Sequence, residues 1–546
     1  MKTLAITLLL VSLTLFAVLT PGRGLSHAAQ LPKPTPGYQV LLDFDGTNTG
    51  SDPKGSLTLV KSGRRTFLFG RTSAGGANSG GTIFGLHIPG NAYQGNPVIS
   101  LDKSSGRFPH HDSMLCVTRS KGSTVCDVAK VGKATVWGTT LDGGGPDLGA
   151  IFAFDPVAWM EQGIPPSFVY SFAGPKDGGS GADAATPHSV FSLNSHSGLL
   201  YGATAEGGMN GGGTLYTFPA SSTATADKVL FNFDASGTSD VFNVGSDCTA
   251  TVPSSLTGDT PHGRPIVVHA NGKDLLLGMT RQGGMGVGSD KTIGNGVLFA
   301  FDPATATYTP LHYFKGQACS VAGGPDGAYS DHGNLTVTTV KSASHTAVVC
   351  GLTTDGGSGI LTDGGQPLPG SGAIFKAEIS LASPPTIKSY EVVHEFGLDC
   401  TASPGNCVTD GQGGVLQDGF NPYGSLVTGP DGWLYGMTRN GGANWQTLYG
   451  GKPSPPSGGG TIFRFKPGKC SKGDCYQVVW SFDLGSTLCD PLNPSLTTCD
   501  ATGSEPIDNL IVSGKTFYGM TQSGGANDLT DANAYGTVFS FVPPRP

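Results

Sequence analysis

Apolar residues along most of this chain come in short runs that alternate with polar ones, and each run is broken by glycine, proline or an Asp-Gly pair. Period-two alternation between turn signals describes strands lying on one face of a sheet. The segment Ser425-Leu-Val-Thr428 is followed by a Pro430-Asp-Gly432 turn, a second run through Tyr435, a third at Gly460-Thr-Ile-Phe463 and a fourth at Tyr476-Gln-Val-Val-Trp-Ser-Phe482. Those four runs predict a small antiparallel sheet with strands A to D, A and B being joined by the tight turn.

The second run belongs to a repeat. An aromatic-Gly-x-Thr-x-x-Gly-Gly pattern begins at Phe69, Trp137, Tyr201, Tyr435 and Tyr518, and with a non-aromatic first residue at Leu277 and Cys350. The motif glycines are separated by 68, 64, 76, 73, 85 and 83 residues, and each copy is followed by a strand of the Gly-Thr-Ile-Phe type. Seven units of four strands predict an all-β fold, a single seven-bladed β-propeller of four-stranded antiparallel blades. The last unit ends on its third strand at Val538 to Phe541, whereas Tyr38-Gln-Val-Leu-Leu-Asp-Phe44 reads like a fourth strand without a unit of its own. The N-terminal strand, about 38–44, is therefore expected to complete the last blade and close the ring; an open solenoid is the structural alternative.

The Leu-Tyr-Gly-Met-Thr segment around Tyr435 and the Gly-Gly-Gly-Thr-Ile-Phe segment around Thr461 resemble the choice-of-anchor tandem repeat family of the "GloVer" type. The resemblance spans essentially the whole mature chain and implies an exported or surface-exposed repeat protein, with no agreed activity. This sequence departs from the family name in showing no anchor at its end, Phe541-Val-Pro-Pro-Arg-Pro546.

Composition agrees with strands and turns: of 546 residues 86 are Gly and 38 Pro, and only 13% are charged. Lys2, the apolar run from Leu4 to Leu19 and the small residues at Ser26-His27-Ala28-Ala29 read as a signal peptide over 1–29. A linker at 30–37 and a propeller at 38–546 would follow. The expected product is a secreted, periplasmic or cell-surface protein with no membrane span, and a monomer. A formal charge of −8 makes nucleic acid a poor partner. Eleven cysteines in an exported chain point to disulfides, with Cys116/Cys126, Cys400/Cys407, Cys470/Cys475 and Cys489/Cys499 close enough in sequence to pair. Cys248 and Cys319 lie in neighbouring loops, which leaves Cys350 as a buried free thiol.

Candidate chemistry lies where the copies differ. Strand alternation puts the B–C and D–A loops on one face, and these are longest around blades 4 to 7. At the start of strand A a Pro-X pattern places Lys54, His111 (or His110), His188, His262, His332, Tyr423 and Ile507 beside the central channel. Imidazoles converging from several blades suit a divalent transition metal, with His111, His188, His262 and His332 as ligands, or acid–base work near neutral pH. A ring of flat side chains lining the channel is the bland reading of the same pattern. The same face carries Asp142, Glu206, Arg281, Asp355, Arg439 and Trp445 as candidate ligand-binding residues. Two functions follow. One is binding of an extracellular ligand, a glycan or cell-surface component. The other is a metal-assisted polysaccharide lyase or hydrolase with His188, His262, His332, Tyr423 and Lys54 as catalytic groups.

Overall fold

The computed structural model describes residues 37–88, 97–119, 121–174, 183–220, 227–234, 241–243, 256–270, 272–286, 293–316, 326–357, 362–363, 366–367, 371–397, 408–409, 415–416, 418–442, 459–468, 476–482, 502–525 and 535–544. The signal peptide, Trp445 and every cysteine except Cys116, Cys126 and Cys350 lie outside them. Among the described residues no helix is long and apolar enough to cross a membrane.

Seven antiparallel sheets form the blades of a propeller. Blade 6 has strand A at Val427–Thr428, B at Leu434–Thr438, C at Thr461–Phe465 and D at Tyr476–Ser481. In the last blade the fourth strand comes from the other end of the chain: Tyr38–Asp43 pairs antiparallel with Thr537–Phe541, Tyr38 opposite Phe541 and Asp43 opposite Thr537. The expected closure is thus present. Blade 2 carries an addition, in which strand A (Leu115–Thr118) turns into Lys121–Ser123 and Cys116 is disulfide-bonded to Cys126. The segment Val125–Asp127 then runs parallel to strand A of blade 1, Thr58–Ser62.

The core is divided into apolar clusters between neighbouring blades. One joins blade 7 to blade 1 through Leu42, Met520 and Val538 against Leu57, Leu59 and Leu68. Another joins blades 5 and 6 through Cys350, Leu352 and Phe396 against Leu426 and Leu434. Cys350 is a buried free thiol there, and burial pushes its pKa up to about 12, so it packs as a small hydrophobe.

Two motif residues have structural reasons. The motif glycine faces the aromatic ring of strand C in its own blade: a Cβ would sit 2.3 Å from Phe84 at Gly70, 2.2 Å from Phe152 at Gly138 and 2.5 Å from Phe463 at Gly436. Close approach, not turn conformation, requires glycine here. Gly436→Ala is expected to lower stability by about 1–3 kcal/mol through this overpacking, read as a lower thermal midpoint; an unchanged midpoint would show that Phe463 moves freely. The motif threonine bonds to the first threonine of strand C, as in Thr72–Thr82 at 2.9 Å, Thr204–Thr214 at 2.9 Å and Thr438–Thr461 at 2.8 Å.

A third recurrent element is conformational. Asp52, Phe108, Thr186, Thr260, Tyr329, Asn421 and Glu505, one in each blade, have φ between 50° and 54°. Non-glycine residues enter this left-handed region only when their surroundings fix it. Here the backbone N–H of Phe108, Thr186, Thr260, Tyr329, Asn421 and Glu505 donates to the preceding blade, at Gly80, Leu148, Gly212, Asn295, Ser371 and Gly459. The carbonyls of Asp52, Phe108, Thr186, Thr260, Tyr329 and Asn421 accept from the residue after the motif threonine of their own blade. Each of Phe108, Thr186, Thr260, Tyr329 and Asn421 therefore pins two blades together at the point where the chain turns down into strand A.

Candidate functional site

Two residues beyond the left-handed position, the chain reaches the channel. This structural register puts Lys54, His110, His188, His262, Asp331, Tyr423 and Ile507 at equivalent places, and His111, His332 and Asp508 one residue further in. The Pro-X pattern gave His332, and His111 with His110 as its alternative, the same register as His188 and His262. In blade 5 the shift arises because Ser330 stands where every other blade has proline, and in blade 2 Pro109 directly precedes His110, which the backbone turn places in the common register.

Both layers nevertheless meet. His188 and His262 stack with ring centroids 4.1 Å apart, His262 and His332 at 4.8 Å, and His111 and His332 at 3.2 Å. His110 packs edge-on to His188 at 5.1 Å, and Tyr423 stacks on His332 at 5.7 Å. One potential ligand atom from each of His188, His262 and His332 lies within 4.8 Å of the other two. His111 is only 3% exposed, and its Nδ1 lies 3.8 Å from Asp508 Oδ2.

Burial dominates the electrostatics. It holds the pKa of His111, His188 and His332 well below the usual imidazole value, with the neighbouring imidazoles adding to the effect, and brings His110 down to about 3 with help from Lys54. His262 is lowered by burial against the opposing pull of Asp331, whose Oδ1 lies 3.3 Å from its Nδ1. Asp331 is itself held by Arg281 Nε. At neutral pH the group is thus a set of neutral nitrogen donors. The Nδ1 atoms of His110, His111, His188 and His332 are buried without a hydrogen-bond partner. Buried polar atoms are nearly always satisfied by protein, water or an ion.

Beneath the imidazoles a wheel of hydrogen bonds runs around the axis. The Arg264 N–H donates to Asn334 Oδ1 at 2.6 Å, Asn334 N–H to Ser425 Oγ at 2.7 Å, Ser425 N–H to Asn509 Oδ1, Asn509 N–H to Ser56 Oγ at 2.7 Å and Ser56 N–H to the Asp112 carbonyl at 3.2 Å. Arg264 closes the wheel by reaching from blade 4 to blade 2, where its Nη1 bonds both carboxylate oxygens of Asp112 at 3.0 and 2.9 Å. Arg71, fully buried, donates to the carbonyls of Thr139, His111 and Asp112. Asp508 receives the Asp112 N–H, and burial beside Asp112 pushes its pKa up to about 8.

Of the other candidates, Arg281, Arg439 and Asp355 form joints between blades. Arg281 pairs with Asp331 and lies over the Tyr329 ring at 5.5 Å. Arg439 pairs with Glu505 at 3.0 Å and lies over Tyr423 at 5.7 Å. Gln522, at the same repeat position, donates to Asp52 at 2.6 Å. Lys54 pairs with Asp52 at 3.1 Å. Asp142 bridges Arg107 through its backbone, Glu206 pairs with Ala185, and Asp355 accepts from Asn421 at 3.2 Å. The sequence reading missed Asp112, Arg264, Asp331 and Asp508. Three of these directly precede or follow a residue of the Pro-X series, so their adjacency was the available signal. Arg264 had none. Away from the channel, His312 and His394 are tied to Asp326 at 2.7 Å and Asp418 at 2.9 Å.

No protein-family model matches the chain, and no curated protein sequence matches it. The resemblance to the GloVer repeats rests on the motif residues. Among solved structures, the β-propeller domain of the trilobed protease from Pyrococcus furiosus is similar over 90% of this chain and 94% of its own, with 7% identity and a TM-score of 0.34. An α-L-arabinofuranosidase from Lactobacillus brevis is similar over 64% of this chain and 91% of its own, with 10% identity and a TM-score of 0.29. Likenesses this distant assign nothing to the site.

Proposed function

We propose that this propeller holds a divalent transition metal, of the zinc or copper class, on His188, His262 and His332, and uses it to bind an oxygen donor of an extracellular glycan on the face of the B–C and D–A loops. The observation that carries this reading is the convergence of three neutral imidazoles, His188 and His332 having buried Nδ1 atoms without partners. Imidazole suits these metals, and three protein ligands leave a coordination position for an outside oxygen. Asp331, fixed by Arg281, stands beside His262 as a carboxylate does behind many metal-bound histidines.

Binding is favoured over metal-assisted elimination by the state of the two candidate bases. Lys54 is held in an ion pair with Asp52 at 3.1 Å, and burial raises the pKa of Tyr423, so the phenol is not poised to take a proton near neutrality.

Purified mature protein is expected to carry a divalent metal at this site, to retain a uronate-containing polysaccharide in a metal-dependent manner, and to release it on chelation. His188→Ala and His262→Ala should each remove the metal and the retention while leaving the melting profile of the metal-free protein unchanged. Absence of metal at this group, or full retention by both variants, would overturn the proposal. Unsaturated uronide products would replace binding by lyase chemistry.

A further inference from the structure

A second group of donors lies on the opposite face of the propeller, in the A–B hairpins of blades 3 and 4. His196 follows strand A of blade 3 (Ser192–Leu193), and His269 and Asp274 stand across from each other in the hairpin of blade 4 (Ile266–Ala270 and Lys273–Met279). Asp274 Oδ1 lies 2.7 Å from His269 Nδ1 and 3.9 Å from His196 Nδ1, and the two rings stack with centroids 3.8 Å apart. One donor atom from each of the three residues lies within 4.8 Å of the other two.

What builds this group is a buried asparagine. Asn194 is 1% exposed and joins the two blades: its Nδ2 donates to Asp274 Oδ2 at 2.7 Å, while its Oδ1 accepts the His196 N–H at 2.9 Å. One carboxylate oxygen is thereby held, and the other is left aimed at both imidazoles. The same side chain fixes the backbone from which His196 projects. The imidazole side chains are 56% and 40% exposed, so their nitrogens can close toward a common point without disturbing the core. A tetrahedral ion with bonds of about 2.1 Å needs its donors about 3.4 Å apart, a closure within reach of two exposed rings.

We propose that His196, His269 and Asp274 form a site for Zn²⁺ or Cu²⁺ that is separate from the channel and has its remaining coordination positions open to solvent. Two imidazoles and one carboxylate match the ligand preference of these ions and not that of calcium or magnesium, which take oxygen. Asn194 is the positioning residue. The site does not depend on the reading of the channel imidazoles.

The test is a Zn²⁺ titration of the mature protein, together with crystals soaked in Zn²⁺ and examined at the zinc absorption edge. An anomalous peak bounded by His196, His269 and Asp274 is expected. His269→Ala should remove that peak and one equivalent of bound zinc while leaving any peak at His188, His262 and His332 in place. Asn194→Ala should weaken this site about 10-fold or more, as loss of an outer partner of a ligand does. Since Asn194 is buried, His196→Ala, at a side chain 56% exposed, serves as the variant that leaves the packed core untouched. No peak between the three residues at saturating Zn²⁺, or an unchanged stoichiometry in both histidine variants, would overturn the proposal.

Discussion

A chain shortened to begin at Gly46 is expected to lose the cooperative unfolding transition and to self-associate. The deletion removes strand Tyr38–Asp43 and with it Tyr38, Leu42 and Phe44, which are 4%, 6% and 0% exposed. Full burial of such side chains contributes about 1.5–3 kcal/mol each, a sum comparable with the 5–15 kcal/mol net stability typical of a folded domain. Tyr38 also stacks on Trp480 of blade 6 at 4.5 Å, so the loss reaches the neighbouring blade. The uncovered strand Thr537–Phe541 would present a bare edge, ready to pair with another chain. Thermal unfolding by circular dichroism and light scattering are the measurements. A truncated monomer with the parent's midpoint would show that the ring does not depend on its closing strand.

The second large effect is expected from Arg264→Leu. Asp112 is 1% exposed, and Arg264 supplies bonds to both of its oxygens. Removing one partner of a buried ion pair costs about 3–5 kcal/mol, because the other charge stays buried without its counterion. Arg71 bonds the Asp112 carbonyl and not its carboxylate, so it is no direct substitute. Urea denaturation should show a lower midpoint at an unchanged slope. The double variant Asp112→Asn with Arg264→Leu should recover a good part of the loss, since no charge is then stranded. A single variant as stable as the parent would mean that the carboxylate finds water or another cation.

The ring and its closure were legible because they are written in features a strand repeats: alternation, the glycine opposite an aromatic ring, and the displaced strand at Tyr38. The set of histidines was legible too, since His188 and His262 follow Pro187 and Pro261. Their registration was not. What aligns the blades is a backbone conformation shared by Asp52, Phe108, Thr186, Thr260, Tyr329, Asn421 and Glu505, residues with no chemistry in common. The wheel was hidden for a similar reason. Its members Ser56, Asp112, Arg264, Ser425 and Asn509 stand four residues beyond the left-handed position and Asn334 five, but they differ in chemical type and bonding role, so the column shows no shared residue. Arg281 and Arg439 looked like ligand contacts because they stand on the loop face. Each meets an acid from the next blade, and such a pairing across a long sequence separation leaves no local pattern.

The wheel passes through blades 4, 5, 6, 7, 1 and 2 and returns directly to blade 4 through Arg264 and Asp112. Blade 3 is the sector it bypasses. In mechanical terms the propeller is a hoop whose innermost ring of bonds skips one segment, which is held instead by the pins at Thr186 and Thr260 and by the bond from Thr139 Oγ1 to the Ser189 carbonyl at 3.1 Å. That segment supplies His188 at one end and His196 at the other, and each reaches a donor from blade 4. An ion seated at either end would act as a rivet between blades 3 and 4, in the sector that the wheel passes over.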